Sequence, residues 1–219
     1  NETATQSPSF TAQQSASNLF LSKAGDAEEE PKVEWSTYPL RVPGRGGMGF
    51  TLKGTRETAV FLSDSKDASG NFYAIVFGAE GNDGIRIKKH SRGDNHYETL
   101  ASTDAKNYRA LLLSPAKPSK YWISVEKGQL LVGMGKVGEN IVLGIQDPLP
   151  LLNIREIGFA CNSGENATYS DLTIASPIKI DVARAEESYE RQADEFNYKG
   201  SVYVVLPFEY QIDQEGQAV

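Results

Sequence analysis

The chain has 219 residues, 39% hydrophobic and 23% charged, which is the composition of an ordinary globular protein and enough length for one large β domain or two small ones. Its net charge of −7 argues against nucleic acid or an anionic membrane as the main partner, because both require a basic field. No apolar run approaches the roughly 20 residues that cross a bilayer as a helix, and a single cysteine, Cys161, excludes an intrachain disulfide.

Residues 1–32 are rich in Ser, Gln, Ala and Glu, with Phe10 and Leu19-Phe20-Leu21 as their only apolar anchors. Such a composition cannot by itself offset its chain entropy. Order in this arm therefore requires packing on the domain or on a neighbouring copy. The chain opens on Asn1, which fits either a mature N-terminus left by cleavage of a signal or transit segment or a trimmed start. The sequons Asn1-Glu-Thr3 and Asn166-Ala-Thr168 make Asn1 and Asn166 candidate glycosylation sites and favour a secreted chain over an intracellular one.

Residues 33–180 read as strands separated by turns. Val33–Tyr38 is the first, with Trp35 as its large anchor, and Gly44-Arg-Gly-Gly47 is a connecting loop before Met48–Lys53. Thr58–Ser63, Phe72–Phe77 and Ile85–Lys88 follow, bounded by Asp67–Asn71 and Glu80–Gly84.

His90-Ser-Arg-Gly-Asp-Asn-His96 carries both histidines and an Arg-Gly-Asp triplet. The histidine spacing matches no common zinc pattern, and the triplet suits either an adhesion loop or a plain polar hairpin tip, of which the tip is the simpler reading. Tyr108–Leu113 then leads through Pro115 and Pro118 into Tyr121–Gly135, where apolar residues alternate on both sides of a Lys127-Gly128 turn. That pattern predicts a β-hairpin with one buried face.

Gly133-Met-Gly-Lys-Val-Gly138 matches the glycine pattern of a dinucleotide or S-adenosylmethionine loop, but a β-branched stretch follows it where such a loop needs a helix. The glycines are therefore expected to serve the twist and turn of a sheet. Ile141–Ile145, Ile154–Ala160 and Tyr169–Ala175 complete the strands. Cys161 falls at strand spacing from Ile157 and Phe159 and is expected to be a buried, inert thiol.

Residues 181–219 form a second extension: a polar helix over 182–195, then an alternating strand over 201–213 that Pro207 places at an edge or bulge. Many short strands with little helical periodicity predict an all-β, antiparallel sandwich or jelly roll. The expected core comprises Phe61, Ile75, Phe77, Ile85, Leu112, Trp122 or Ile123, Val132, Ile157 and Phe159.

From about Gly49 to Ala175 the chain resembles the domain family named after farnesoic acid O-methyltransferase. The similarity rests on Gly49-Phe-Thr-Leu-Lys with Ala59-Val-Phe-Leu-Ser63, on Tyr73–Gly78 with Asn82 and Ile85-Arg86, on the Tyr121–Gly135 hairpin and on Ile157-Gly158. Ala79-Glu80 stands where the family often has Gly-Trp, and Val125 where it often has Trp. The resemblance implies a β-sandwich, and the family name implies S-adenosylmethionine-dependent methylation of farnesoic acid. The residues themselves favour a non-catalytic module that binds carbohydrate or matrix or that assembles with itself, without cofactor, metal or catalytic residues. Candidate ligand contacts are the loop residues Asn82, Asp83, Arg86, Asp94, Asn95 and His96. A strand such as 201–213 must satisfy its backbone somewhere, either on its own sheet or on a neighbouring copy; exchange between copies would make a homo-oligomer, with Phe10 and Leu19-Phe20-Leu21 as further anchors.

Overall fold

The computed structural model describes residues 10–15, 31–94, 96–105 and 109–178. Asn1, Leu19-Phe20-Leu21, Asn95, the expected helix 182–195 and the expected strand 201–213 lie outside the described residues. Within them the chain is a two-sheet β-sandwich. Its strands are β1 (Phe10–Thr11), β2 (Gln13–Ser15), β3 (Glu34–Trp35), β4 (Arg45–Gly54), β5 (Thr58–Ser63), β6 (Phe72–Phe77) and β7 (Gly84–His90). They continue as β8 (Glu98–Asp104), β9 (Ser119–Glu126), β10 (Gln129–Met134), β11 (Ile141–Gln146), β12 (Glu156–Asn162) and β13 (Ala167–Ala175).

One sheet runs β1-β13-β4-β9-β10-β11. The other runs β2-β12-β5-β6-β7-β8, with β3 also on β12. Pairing is antiparallel except for β2 on β12. The inward faces meet in one core, to which β6 gives Tyr73, Ile75 and Phe77, and β9 gives Tyr121, Ile123 and Val125. Cys161 lies in that core with Ile157 and Phe159, and burial, aided by the Glu165 charge, pushes its thiol up to about 11.

The N-terminal stretch closes one side of the sandwich by serving both sheets. Phe10 and Thr11 pair with Tyr169 and Thr168, and three residues later Gln13–Ser15 pair with Ala160–Asn162. Phe10 stacks on Phe159 at 4.8 Å between centroids, so this anchor packs on its own domain and is not available to a neighbouring copy. Phe10→Ala is expected to cost about 2 kcal/mol, below the 3–5 of a fully buried aromatic because Phe10 is only partly covered. Urea titration measures it; an unchanged midpoint would mean that the staple carries no stability.

Four expectations are corrected. Leu112 is 42% exposed rather than core, because the 3₁₀ turn Arg109–Leu111 rotates successive side chains and leaves Leu111 and Leu113 pointing inward instead. The first strand shrinks to Glu34–Trp35, since Ser36 Oγ accepts the Tyr38 N–H and bends the chain away ahead of Pro39. Gly44–Gly47 is not a plain loop: the ladder of β4 already begins at Arg45.

The central hairpin, expected to bury one face, is buried on both. Trp122 and Ser124 are as inaccessible as Ile123 and Val125. Ser124 lies beneath the segment ending at Ile178: its Oγ accepts the Ile178 N–H at 2.7 Å and donates to Ile178 O at 3.2 Å. Chain that crosses an outer face turns it into a second interior. The outer face of the other sheet has its own small core of Phe61, Phe72, Ala74 and Val76, packed against Val33, Trp35 and Tyr97.

Candidate functional site

A sandwich presents loops at its two ends, and strand direction decides which loops share an end. The turns 36–44, 64–71, 91–97, 127–128 and 147–155 lie at one end, and 78–83, 105–118 and 135–140 at the other. The candidate contacts separate accordingly. Asn82 and Asp83 precede β7, whereas Asp94 and His96 follow it, which puts about 20 Å of strand between the groups. They cannot converge on one small ligand.

Asn82 is engaged within its own end. Its side chain donates to Leu113 O at 3.0 Å and accepts the Leu113 N–H at 2.8 Å, tying two loops together. Arg86 points from β7 onto the outer face and pairs with Glu80. Lys88, two residues on and on the same face, is buried. Burial, reinforced by the Arg86 charge and opposed by Glu80 and Glu57, pushes its amine down to about 8.

This shift has a testable sign. The Lys88 amine titrates below its unfolded value near 10.4, so the unfolded chain holds the extra proton between the two values. Stability is expected to rise with pH across that window. In ¹³Cε spectra of labelled lysine, one resonance lost in Lys88→Arg should titrate near 8. Absence of any lysine resonance titrating near 8 would refute the assignment.

At the first end His90 acts as a loop clamp. Its ring stacks on Phe72 at 4.9 Å, with Nδ1 2.7 Å from Gly70 O and Nε2 3.0 Å from Asp94 O. Both ring nitrogens thus face backbone carbonyls, which holds the 64–71 and 91–97 loops side by side. Arg92, Asp94 and His96 are exposed at that tip.

The same end carries a feature that sequence patterning missed. Tyr73, Lys89 and Asp147 form a buried network: Tyr73 donates its hydroxyl to Asp147 Oδ2 at 2.6 Å, and Lys89 Nζ reaches the same oxygen at 2.8 Å. Lys89 also donates to Leu149 O at 2.6 Å, Asp147 Oδ1 accepts the Leu149 N–H, and Tyr73 accepts the Leu151 N–H. Burial alone would raise the Asp147 carboxyl, but its bonds from Lys89, Tyr73 and Leu149 outweigh that and hold it below the usual carboxylate range. Burial followed by the Asp147 hydrogen bond pushes the Tyr73 hydroxyl up.

With its backbone polar groups satisfied inward, Leu149 turns its side chain outward, 78% exposed between Pro148 and Pro150. Backbone bonds knit the neighbouring loops to it. Gly44 N–H donates to Ile154 O, Leu40 N–H to Arg155 O, Lys127 N–H to Gly44 O and Asp147 N–H to Gly128 O. Tyr38, Val42, Leu149 and Leu152 are therefore four of the five exposed large hydrophobics among the described residues, gathered on one rim. Arg41, Lys127 and Arg155 surround them, also exposed.

The family model described as farnesoic acid O-methyltransferase matches residues 32–170. No curated protein matches the sequence. Among solved structures, a sheep galectin-11 complex with glycerol aligns at 10% identity, covering 68% of this chain and 99% of that one, with a TM-score of 0.46. A carbohydrate-binding module from Bacillus subtilis aligns at 14% identity over 66% and 92%, TM-score 0.46. A Bacillus licheniformis β-glucanase aligns at 9% identity over 65% and 69%, TM-score 0.44.

Proposed function

Because this chain belongs to the farnesoic acid O-methyltransferase domain family, we propose that it is a binding and assembly module of that family and not a methyltransferase. The observation that carries the reading is the rigid rim of Tyr38, Val42, Leu149 and Leu152. Apolar side chains gathered at one end of a folded domain, on loops fixed by backbone hydrogen bonds, are a surface prepared for a partner. The glycine-rich stretch supports the same side. Gly135 and Gly138 hold left-handed turns, with φ of 92° and 94°, and the chain after them enters β11. A cofactor loop would open a helix there.

In this reading the rim serves self-association, in which residues 201–213 take part. The neighbouring tip of Arg92, Asp94 and His96 offers polar edges to carbohydrate hydroxyls, and Asn166, exposed in the β12–β13 turn, takes an N-glycan in a secreted chain. Three measurements test it. A glycan array should give binders that Asp94→Ala weakens, and light scattering should give a mass above that of one chain. Calorimetry showing micromolar S-adenosylmethionine binding would replace this reading with the enzymatic one.

A further inference from the structure

The charge of this protein is divided unevenly. Residues 31–178 hold 17 Lys and Arg against 15 Asp and Glu, whereas residues 179–219 hold four against nine and residues 1–30 one against five. The sandwich is thus weakly cationic and its extensions carry all of the net negative charge. Within residues 201–219 there is no Lys or Arg; Glu209, Asp213 and Glu215 are interleaved with Val202, Val204, Leu206, Phe208, Tyr210 and Ile212. An acidic, apolar segment of this kind seeks a surface that is cationic and apolar.

The rim is that surface. Glu126 is paired with Arg45 at 3.3 Å, Asp147 with Lys89 at 2.8 Å, and Glu156 stands 3.9 Å from Lys66. Among the described residues, Arg41, Lys127 and Arg155 have no ion-pair partner, and they flank the exposed Val42, Leu149 and Leu152. In the acidic loop beside them Asp64 accepts from Asn71 and Asp67 from Ser69, and Asp67 also feels the Arg92 charge.

We propose that residues 201–215 of one copy dock on the rim of a second copy, with the face that carries Glu209, Asp213 and Glu215 against Arg41, Lys127 and Arg155. This rests on the self-association reading above and specifies its contact. Exchange between copies is open to a tail of this length. The described chain ends at Ile178 on Ser124, three residues or about 10 Å from Lys127 of the same molecule, and 22 residues lie between Ile178 and Ser201, enough to span to a rim beside it. Because tail and rim leave from the same end, two copies satisfy each other reciprocally in a closed, two-fold dimer.

The test uses the full chain in sedimentation velocity. The wild type is expected to sediment as a dimer, and Arg41→Glu with Lys127→Glu to weaken it about 10- to 100-fold. Adding Glu209→Lys and Asp213→Lys to that variant should restore association to within a few-fold, which a merely damaged surface would not allow. Leu149→Asp should weaken the dimer without a change in circular dichroism. An oligomer untouched by the rim substitutions overturns this docking while self-association stands. A wild-type monomer overturns both, and leaves glycan binding to be judged by its own array.

Discussion

Asp147→Ala is expected to destabilise the fold by about 3–5 kcal/mol, the cost of leaving a buried cation without its partner. The estimate follows from geometry: Lys89 and Asp147 are both buried, and the carboxylate also holds the Tyr73 hydroxyl and the Leu149 N–H. Removing it strands the ammonium in the core and frees the 147–151 loop, so the variant should also lose the ordered presentation of Leu149 at the rim. Chemical denaturation measures the first effect, and hydrogen exchange at Leu149 and Leu151 the second. A loss below 1 kcal/mol would mean that solvent reaches the network.

The pH dependence of that network has a definite sign. Asp147 in the folded chain holds its proton less tightly than in the unfolded chain, where a carboxylate titrates near 3.9. Its contribution is therefore complete above about pH 5 and is lost as pH falls through the usual carboxylate range toward the folded value. Asp147→Asn should flatten the acid limb of the stability curve.

Trp122→Ala is expected to cost a similar amount, about 3–5 kcal/mol, although Trp122 lies on the outer face of its sheet. The indole is fully buried there. It lies across Gly133, where an added Cβ would sit 2.2 Å from the ring, and its Nε1–H donates to Glu139 O at 2.5 Å. The 135–140 loop folds back over it, with Val137 above Gly49. Trp122→Ala leaves a cavity and an orphaned carbonyl, while Gly133→Val forces the ring off its seat. Both should shift the urea midpoint by more than any substitution at the exposed loop tips. A Trp122→Ala variant of near wild-type stability would show that the loop closes without the indole.

Much of the sandwich was legible because its information is local. Phe72–Phe77 and Thr58–Ser63 appear as strands with the bounds read from alternation and flanking turns, and the Lys127-Gly128 bend is a hairpin turn with both residues at positive φ, 49° and 87°. The glycine-rich 133–138 stretch was legible as sheet rather than cofactor loop, because the β-branched residues after it favour a strand whatever the rest of the chain does.

What a side chain meets across space was not legible. Alternation told which residues share a face, not whether that face would be covered, so the burial of Trp122 and Ser124 depended on where residues 135–140 and 176–178 come to lie. Leu112 has the chemistry of a core residue and became exposed through one 3₁₀ turn. Asn82 and Asp94 are twelve positions apart and equally polar, yet the direction of β7 sets them at opposite ends. The Tyr73–Lys89–Asp147 network joins positions up to 74 residues apart, and the rim joins loops from 38 to 155. The sequence by itself determined most of the strands, many of their inward residues and the family, because period, turn chemistry and motif spacing act between near neighbours. Only the tertiary structure decided which loops share an end and which charges remain unpaired, because those follow from strand order and long-range pairing, which no local pattern encodes.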